Sequence, residues 1–185
     1  MASCFSLNAF ESHSLADQSS SALMDRVDTK YLIDAAELNQ CLAELTAEYT
    51  VLEMNGCRGM AYDTLYFDTP GRQLYLDHHN GKLNRVKVRT RHYRATGERF
   101  LEVKVKTNKL RTSKQRMVLT GAEPDARTLH HFLQEQLGLP ATRMLPALFV
   151  HYHRITLLSR TGHERVTVDT DICFEHSGEH QRIGL

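Results

Sequence analysis

The residues best placed to do chemistry form an alternating run of cations, Arg85-Val86-Lys87-Val88-Arg89-Thr90-Arg91. Side chains of a β-strand point alternately to its two faces, so the arginines and the lysine share one face while Val86, Val88 and Thr90 take the other. The next extended segment repeats the design, with Glu102, Lys104 and Lys106 opposite Leu101, Val103 and Val105. Lys114 and Arg116 then alternate with Gln115 and Met117, and Arg165, Thr167 and Asp169 with Val166 and Val168. Arg154 sits within the segment before Arg165. Like charges on neighbouring strands repel, so such a face is costly unless it is widely solvated or neutralised by a bound polyanion. A chain of phosphates suits it, because each unit brings charge and acceptor oxygens that Arg grips as a fork and Lys as a point charge. The carboxylates on the same faces, Glu102 and Asp169, are then candidate ligands of a divalent cation bridging carboxylate and phosphate oxygens.

Two competing readings of the same residues are an ordinary solvated sheet face and a nucleic-acid platform. Lysines that protect an edge strand number one or two, whereas this run continues over successive strands. A platform for single strands interleaves aromatics with its cations. Here only His92 and Tyr93 border the run, so nucleic acid is not an expected partner.

The elements that must hold these residues follow from patterning. Arg26 to Ile33 reads as a strand, and Asp34 can cap a helix that places Leu38, Leu42 and Leu45 at helical spacing. Met60 to Phe67 alternates as a strand and ends at the turn residues Asp68-Thr69-Pro70-Gly71. A short irregular or helical piece, Gln73 to His79, runs into Asn80-Gly81, a dipeptide suited to a tight turn. Leu83 to Tyr93, Phe100 to Thr107 and Ser113 to Leu119 predict an antiparallel meander. Asp125 to Leu137 is an amphipathic helix with Leu129, Phe132, Leu133 and Leu137 on one face, stopped by Gly138 and Pro140. Ala147 to Leu158 and Glu164 to Phe174 predict two last strands with Gly162 in the turn between them. The order of elements is that of an α+β protein.

Composition sets the frame. With 185 residues, 41% hydrophobic and 24% charged, the chain has the size and balance of one globular domain rather than of a disordered or fibrous one. A formal charge of +1 means that any strongly basic surface is local and offset elsewhere. Residues 1 to 23, with Ser19-Ser20-Ser21, read as a flexible lead-in or short docking helix. Cys4, Cys41, Cys57 and Cys173 form no C-x-x-C pair, which suits a reducing compartment. None of His78-His79, His130-His131 or His151-x-His153 has zinc-ligand spacing. The chain carries neither a signal-peptide pattern nor an apolar run long enough to span a membrane, and a cytoplasmic protein is expected.

In order and spacing, several segments together resemble the VTC domain, named for the vacuolar transporter chaperone complex. They are Arg26 to Tyr31, Thr64 to Thr69, Asn80 to Tyr93, Leu101 to Lys106, Lys114 to Arg116, Pro146 to Arg154 and Arg165 to Asp169. This is the polyphosphate-polymerase branch of the triphosphate tunnel metalloenzymes, a CYTH-like superfamily. The resemblance implies an antiparallel β-barrel, a tunnel lined with basic residues, with a few packing helices, occupying residues 24–185. It also implies Lys30, Arg89, Arg91, Lys104, Lys114, Arg116 and Arg154 as the phosphate-binding set, with Arg165 a further member. Arg85, Lys87 and Lys106 join that set from the alternation alone.

The implied activity is metal-dependent phosphotransfer, with Mn²⁺ or Mg²⁺, from ATP onto polyphosphate. Arg89, Arg91 and Lys104 would stabilise charge at the transferred group, and no protein nucleophile is required. Two alternatives accompany it: a non-catalytic polyphosphate or nucleotide sensor, and a triphosphatase in which water replaces the phosphate acceptor. Members of the family continue after the strand equivalent to Arg165–Asp169 into further strands supplying a metal-binding glutamate and a late lysine. Only Glu175, Glu179 and His180 follow that strand here, so the resemblance implies either a fragment of a longer protein or a short form whose barrel is open, lacking the last strands.

Overall fold

The computed structural model describes residues 6–18, 29–108, 112–121, 123–137, 143–162, 164–176 and 179–182. The chain divides into two compact units. One comprises residues 1–61, 152–173 and 182–185, and the other residues 62–151 and 174–181.

In the first unit, strand β1 (Ser12–His13) runs parallel to β2 (Tyr49–Leu52), and β2 pairs antiparallel with the C-terminal part of β7 (Leu145–Ser159). β8 (Arg165–His176) pairs with β7 across a turn in which Gly162 has φ of 74° and Ser159 N donates to Glu164 O. Helix α1 (Ala35–Leu45) starts as its sequence predicts. The Asp34 carboxylate accepts from Ala36 N and Glu37 N at 2.8 Å, and the Glu37 side chain reaches back to Asp34 N, which makes a capping box. Leu38 and Leu42 on its inner face join Phe10, Tyr49, Val51, Ile155 and Leu157 in one core.

The expected lead-in is described over 6–18 only, and there it is built into this unit. Phe10 is buried, and Arg58 Nη1 donates to the carbonyls of Leu7 and Phe10. Residues 29–34 form no strand, and the remainder of the strand expected over 26–33 lies outside the described residues. Tyr31 and Leu32 are 85% and 82% exposed, and among the described residues no strand pairs with this segment.

The second unit holds the predicted meander. β3 (Gly59–Asp68, entering this unit at Tyr62), β4 (Arg85–Tyr93), β5 (Glu98–Lys106) and β6 (Thr112–Val118) pair antiparallel in chain order. The N-terminal part of β7 lies beside β3, and β9 (Glu179–Arg182) pairs with β8. Helix α3 (Ala126–Leu137) buries Leu129, Phe132 and Leu133 against Phe67, Val88, Leu101 and Val103, covering one face of the meander. Its start is fixed by Asp125, whose Oδ1 accepts from Thr128 N at 2.7 Å, while Gly138 and Pro140 lie outside the described residues. The α+β class expected from sequence therefore holds, with β1 and β2 running parallel beside antiparallel pairs. Among the described residues no helix is long and apolar enough to cross a membrane.

Between β3 and β4 lies α2 (Gln73–His79), and Asp68 organises its start. Asp68 Oδ1 accepts from Thr69 N and Leu74 N at 2.7 and 2.8 Å, and Oδ2 accepts from Tyr75 N at 2.9 Å. Asn80-Gly81, expected as a tight turn because both residues tolerate positive φ, ends this helix instead. Only Gly81 has positive φ, 68°, and Gly81 N and Lys82 N donate to the carbonyls of His78 and Asp77. That is the Schellman pattern, in which a left-handed glycine closes the last helical turn.

Candidate phosphate-binding face

Register decides which cations meet. Directly opposed residues of an antiparallel pair share a face. Across β4 and β5 the partners are Arg85 with Lys106, Lys87 with Lys104, Arg89 with Glu102 and Arg91 with Phe100. Across β5 and β6 they are Glu102 with Arg116 and Lys104 with Lys114. Across β3 and β4, Thr64 opposes Arg91 and Tyr66 opposes Arg89. Arg85, Lys87, Arg89, Arg91, Lys104, Lys106, Lys114 and Arg116 thus lie on a single face of the second unit. The valines and leucine between them form the core under α3 on the other.

At the centre of this face lies one buried carboxylate. Glu102 is 1% exposed. Its Oε2 accepts from Arg89 Nε at 2.8 Å and is ion-paired with Arg89 Nη2 at 2.7 Å, while Lys114 Nζ lies 2.5 Å from Oε1. The Lys114 contact is an ion pair without good hydrogen-bond alignment. Burial pushes the Glu102 carboxyl up, but the charges of Arg89, Lys114 and Arg91 outweigh it and hold the group below the usual carboxylate range. Arg89 is also bound at its remaining edge, where Nη1 donates to Tyr66 Oη at 3.3 Å. Burial likewise raises the Tyr66 phenol, and the positive field of Arg89 more than reverses that, so it lies below its ordinary value.

Arg91 is 9% exposed, with Nε 3.4 Å from the Thr64 hydroxyl and its guanidinium 5.6 Å from the Tyr62 ring centroid. Arg116, exposed to solvent, lies 4.7 Å from the Phe100 centroid. Tyr62, Tyr66 and Phe100 are therefore aromatic platforms for the guanidinium groups, a role that the sequence alone did not assign. For Tyr62 and Tyr66 the signal is the strand alternation of β3, and for Phe100 that of β5, each informative only once the register with β4 is known. At the β4 end of the face, Lys87 Nζ is 3.2 Å from His78 Nε2 on α2, so His78 also borders the site. Arg85 Nη1 donates to Lys82 O at 2.9 Å.

The remaining predicted residues belong to the first unit. Arg154 Nε and Nη2 donate to the two oxygens of Asp169 at 2.6 and 2.7 Å, a bidentate pair between β7 and β8. Arg165 is half-buried on β8, and Lys30 is exposed just before α1. As for a divalent cation, both oxygens of each expected ligand, Glu102 and Asp169, already face arginine or lysine donors. No group of three His, Cys, Asp or Glu side chains converges among the described residues. As arranged, these donors do not fit a carboxylate-held metal.

The sequence profile of the VTC domain matches residues 25–184. The chain belongs to the VTC domain family. No curated protein sequence matches it. Among solved structures it is similar to a "putative adenylate cyclase" of Bacillus halodurans, at 12% identity and a TM-score of 0.52, covering 83% of this chain and 75% of that one. An adenylyl cyclase from Hippeastrum, so described with the same qualifier and reported to have a dominant triphosphatase activity, aligns at 12% identity and a TM-score of 0.46, over 82% and 73% of the two chains. At such identity the Bacillus likeness shows a shared fold and no more. The VTC family and this fold carry the sequence expectation of a triphosphate-tunnel relative.

Proposed function

We propose that this VTC-domain protein binds the phosphate chain of ATP, triphosphate or polyphosphate on the cationic face of its second unit and transfers a terminal phosphoryl group to a phosphate acceptor. The observation that carries the reading is the register that gathers Lys87, Arg89, Arg91, Lys104, Lys114 and Arg116 around a single carboxylate. Like charges gathered on one face repel, and a bound polyanion relieves that repulsion more fully than solvent does, which is what favours a phosphate chain as the ligand. Arg91 and Lys104 are the proposed catalytic cations, gripping equatorial phosphate oxygens and stabilising charge as an acceptor phosphate oxygen bonds to the γ-phosphorus of ATP and the bond from that phosphorus to the β–γ bridging oxygen breaks, releasing ADP. Arg89, whose donors are directed at Glu102 and Tyr66, supports that grip from below. Lys30, Arg154 and Arg165, which lie in the first unit, are proposed to bind phosphate only as the VTC resemblance implies.

One observation favours a second reading, a sensor that binds without turnover. Among the described residues no group of three His, Cys, Asp or Glu side chains converges, whereas the cations of β4, β5 and β6 share one face.

The test is a tripolyphosphate titration of the unfolding midpoint, with EDTA and with Mn²⁺, followed by incubation with ATP. Ligand at a hundredfold excess over its Kd is expected to raise the midpoint by roughly 5–10 °C. The shift is expected to vanish in an Arg91→Ala/Lys104→Ala variant. Growth of an acid-stable phosphate polymer supports transfer, orthophosphate release without polymer identifies hydrolysis, and binding without either product identifies the sensor. No shift at millimolar ligand overturns the phosphate reading.

A further inference from the structure

We propose that Glu102 is a positioning residue, a resident buried anion that fixes Arg89 in the sheet and holds Lys114 of the neighbouring strand in reach of the bound phosphates. The inference rests on the phosphate-binding reading above and assigns this carboxylate a role other than holding a metal.

Three features of the geometry carry it. Glu102 is 1% exposed at the middle of β5, yet both of its oxygens face cations, from β4 on one side and β6 on the other. A carboxylate so placed is tolerable only when paired, which explains why its partners are drawn to it rather than left to wander in solvent. The partners are engaged unequally. Arg89 has one edge on Glu102 and the other on Tyr66, and its side chain is only 17% exposed. Lys114 makes its contact through one ammonium group that carries three donors, and its side chain is 42% exposed. Glu102 therefore holds the long, flexible Lys114 chain close to the sheet while leaving ammonium protons directed outward. Removing the carboxylate would restore rotamer freedom to Lys114, and that freedom would have to be lost again on every binding event. Finally, Glu102 lacks converging His, Cys, Asp or Glu neighbours among the described residues, so the role of organising cations is the one its surroundings support.

The experiment is calorimetric titration of tripolyphosphate into wild type, Glu102→Gln, Lys114→Gln and the double variant, each in EDTA and in Mn²⁺. Glu102→Gln is expected to weaken binding about tenfold, by the same factor in both buffers. The loss in the double variant is expected to be smaller than the product of the two single losses, because Glu102 acts through Lys114. Should Glu102→Gln fail to fold, Glu102→Asp replaces it: the charge is kept while its reach is shortened, and the same non-multiplicative loss is expected. A loss confined to Mn²⁺ would make Glu102 a metal ligand and overturn the assignment. So would multiplicative losses, unchanged affinity, or a gain in affinity, which would mark the carboxylate as a competitor of phosphate. Wild type that binds no tripolyphosphate overturns the phosphate reading itself and this assignment with it, whereas the other failures leave that reading standing.

Discussion

Arg89 and Arg116 flank the same carboxylate from opposite strands, yet their removal is expected to have different effects. Arg89→Ala leaves Glu102 buried with one ionic partner fewer, and breaking a buried pair from one side costs on the order of 3 kcal/mol, readable as a lowered urea midpoint. Arg116 is exposed and stacked on Phe100, so Arg116→Ala is expected to change stability by less than about 1 kcal/mol. Its effect should appear instead as weaker tripolyphosphate binding. Equal stability losses for the two variants would refute the distinction between a supporting and a ligand-facing arginine. Tyr49, in the first unit, supplies a pH test. Burial and the hydrogen bond its phenol donates to Glu164 at 2.9 Å push its pKa from 10.0 up to about 12. The neutral form is thus favoured by folding, so the contribution is fully present below about pH 10 and is lost as pH rises through about 12. Tyr49→Phe is expected to be less stable than wild type at neutral pH and to lose less stability across that alkaline window. Parallel stability curves for the two proteins would exclude the linkage.

Helix α2 is short, contains no buried residue, and depends on what happens before its first turn. Three backbone N–H groups converge on Asp68, itself 5% exposed, so Asp68→Ala strands donors that no intrahelical carbonyl can satisfy. A loss of about 1–2 kcal/mol is expected, with faster amide exchange confined to residues 69–79. Uniform exchange across the unit would mean that Asp68 supports β3 rather than the helix. At this scale much was legible in the sequence. Asp34 with Glu37 announces α1, the cation and valine alternation announces β4 to β6, and the spacing of Leu129, Phe132 and Leu133 announces α3, because each pattern is contained within one element. β1 and β2 escaped for physical reasons. β1 is two residues long, and Tyr49–Leu52 is buried at nearly every position, so neither shows the alternation of a half-buried strand. Asn55-Gly56 carried a usable signal. Both residues have positive φ, 52° and 74°, between a Met54–Cys57 bridge, which is the hairpin chemistry that Asn80-Gly81 turned out not to adopt. The partners of Arg91 and Arg89 on β3 were illegible because register between strands is a tertiary property that one strand's sequence does not encode.

For the whole molecule, a formal charge of +1 coexists with a face bearing cations from three successive strands. The acidic residues that balance the count are therefore elsewhere, and attraction for a polyanion is short-ranged rather than a property of total charge. Two dependences follow from that distribution. Binding of tripolyphosphate should weaken several-fold as KCl is raised from 50 to 200 mM, since the exposed members Lys104, Lys114 and Arg116 are screened, while the buried Arg89–Glu102 pair is not. Unfolding midpoints without ligand should change little over the same range. Affinity should also depend on chain length: Arg85 and Arg91 are six residues apart on one strand, about 20 Å at strand rise, and every second residue between them adds a cation. Pyrophosphate, tripolyphosphate and longer linear polyphosphates compared at fixed salt should show affinity climbing with length until the anion spans that row, then levelling. An affinity that stops rising at pyrophosphate would place the anion on the Lys114 and Arg116 cluster alone. An affinity per phosphate that never levels would instead describe a diffuse cationic surface, with no row of defined length for the polymer to fill.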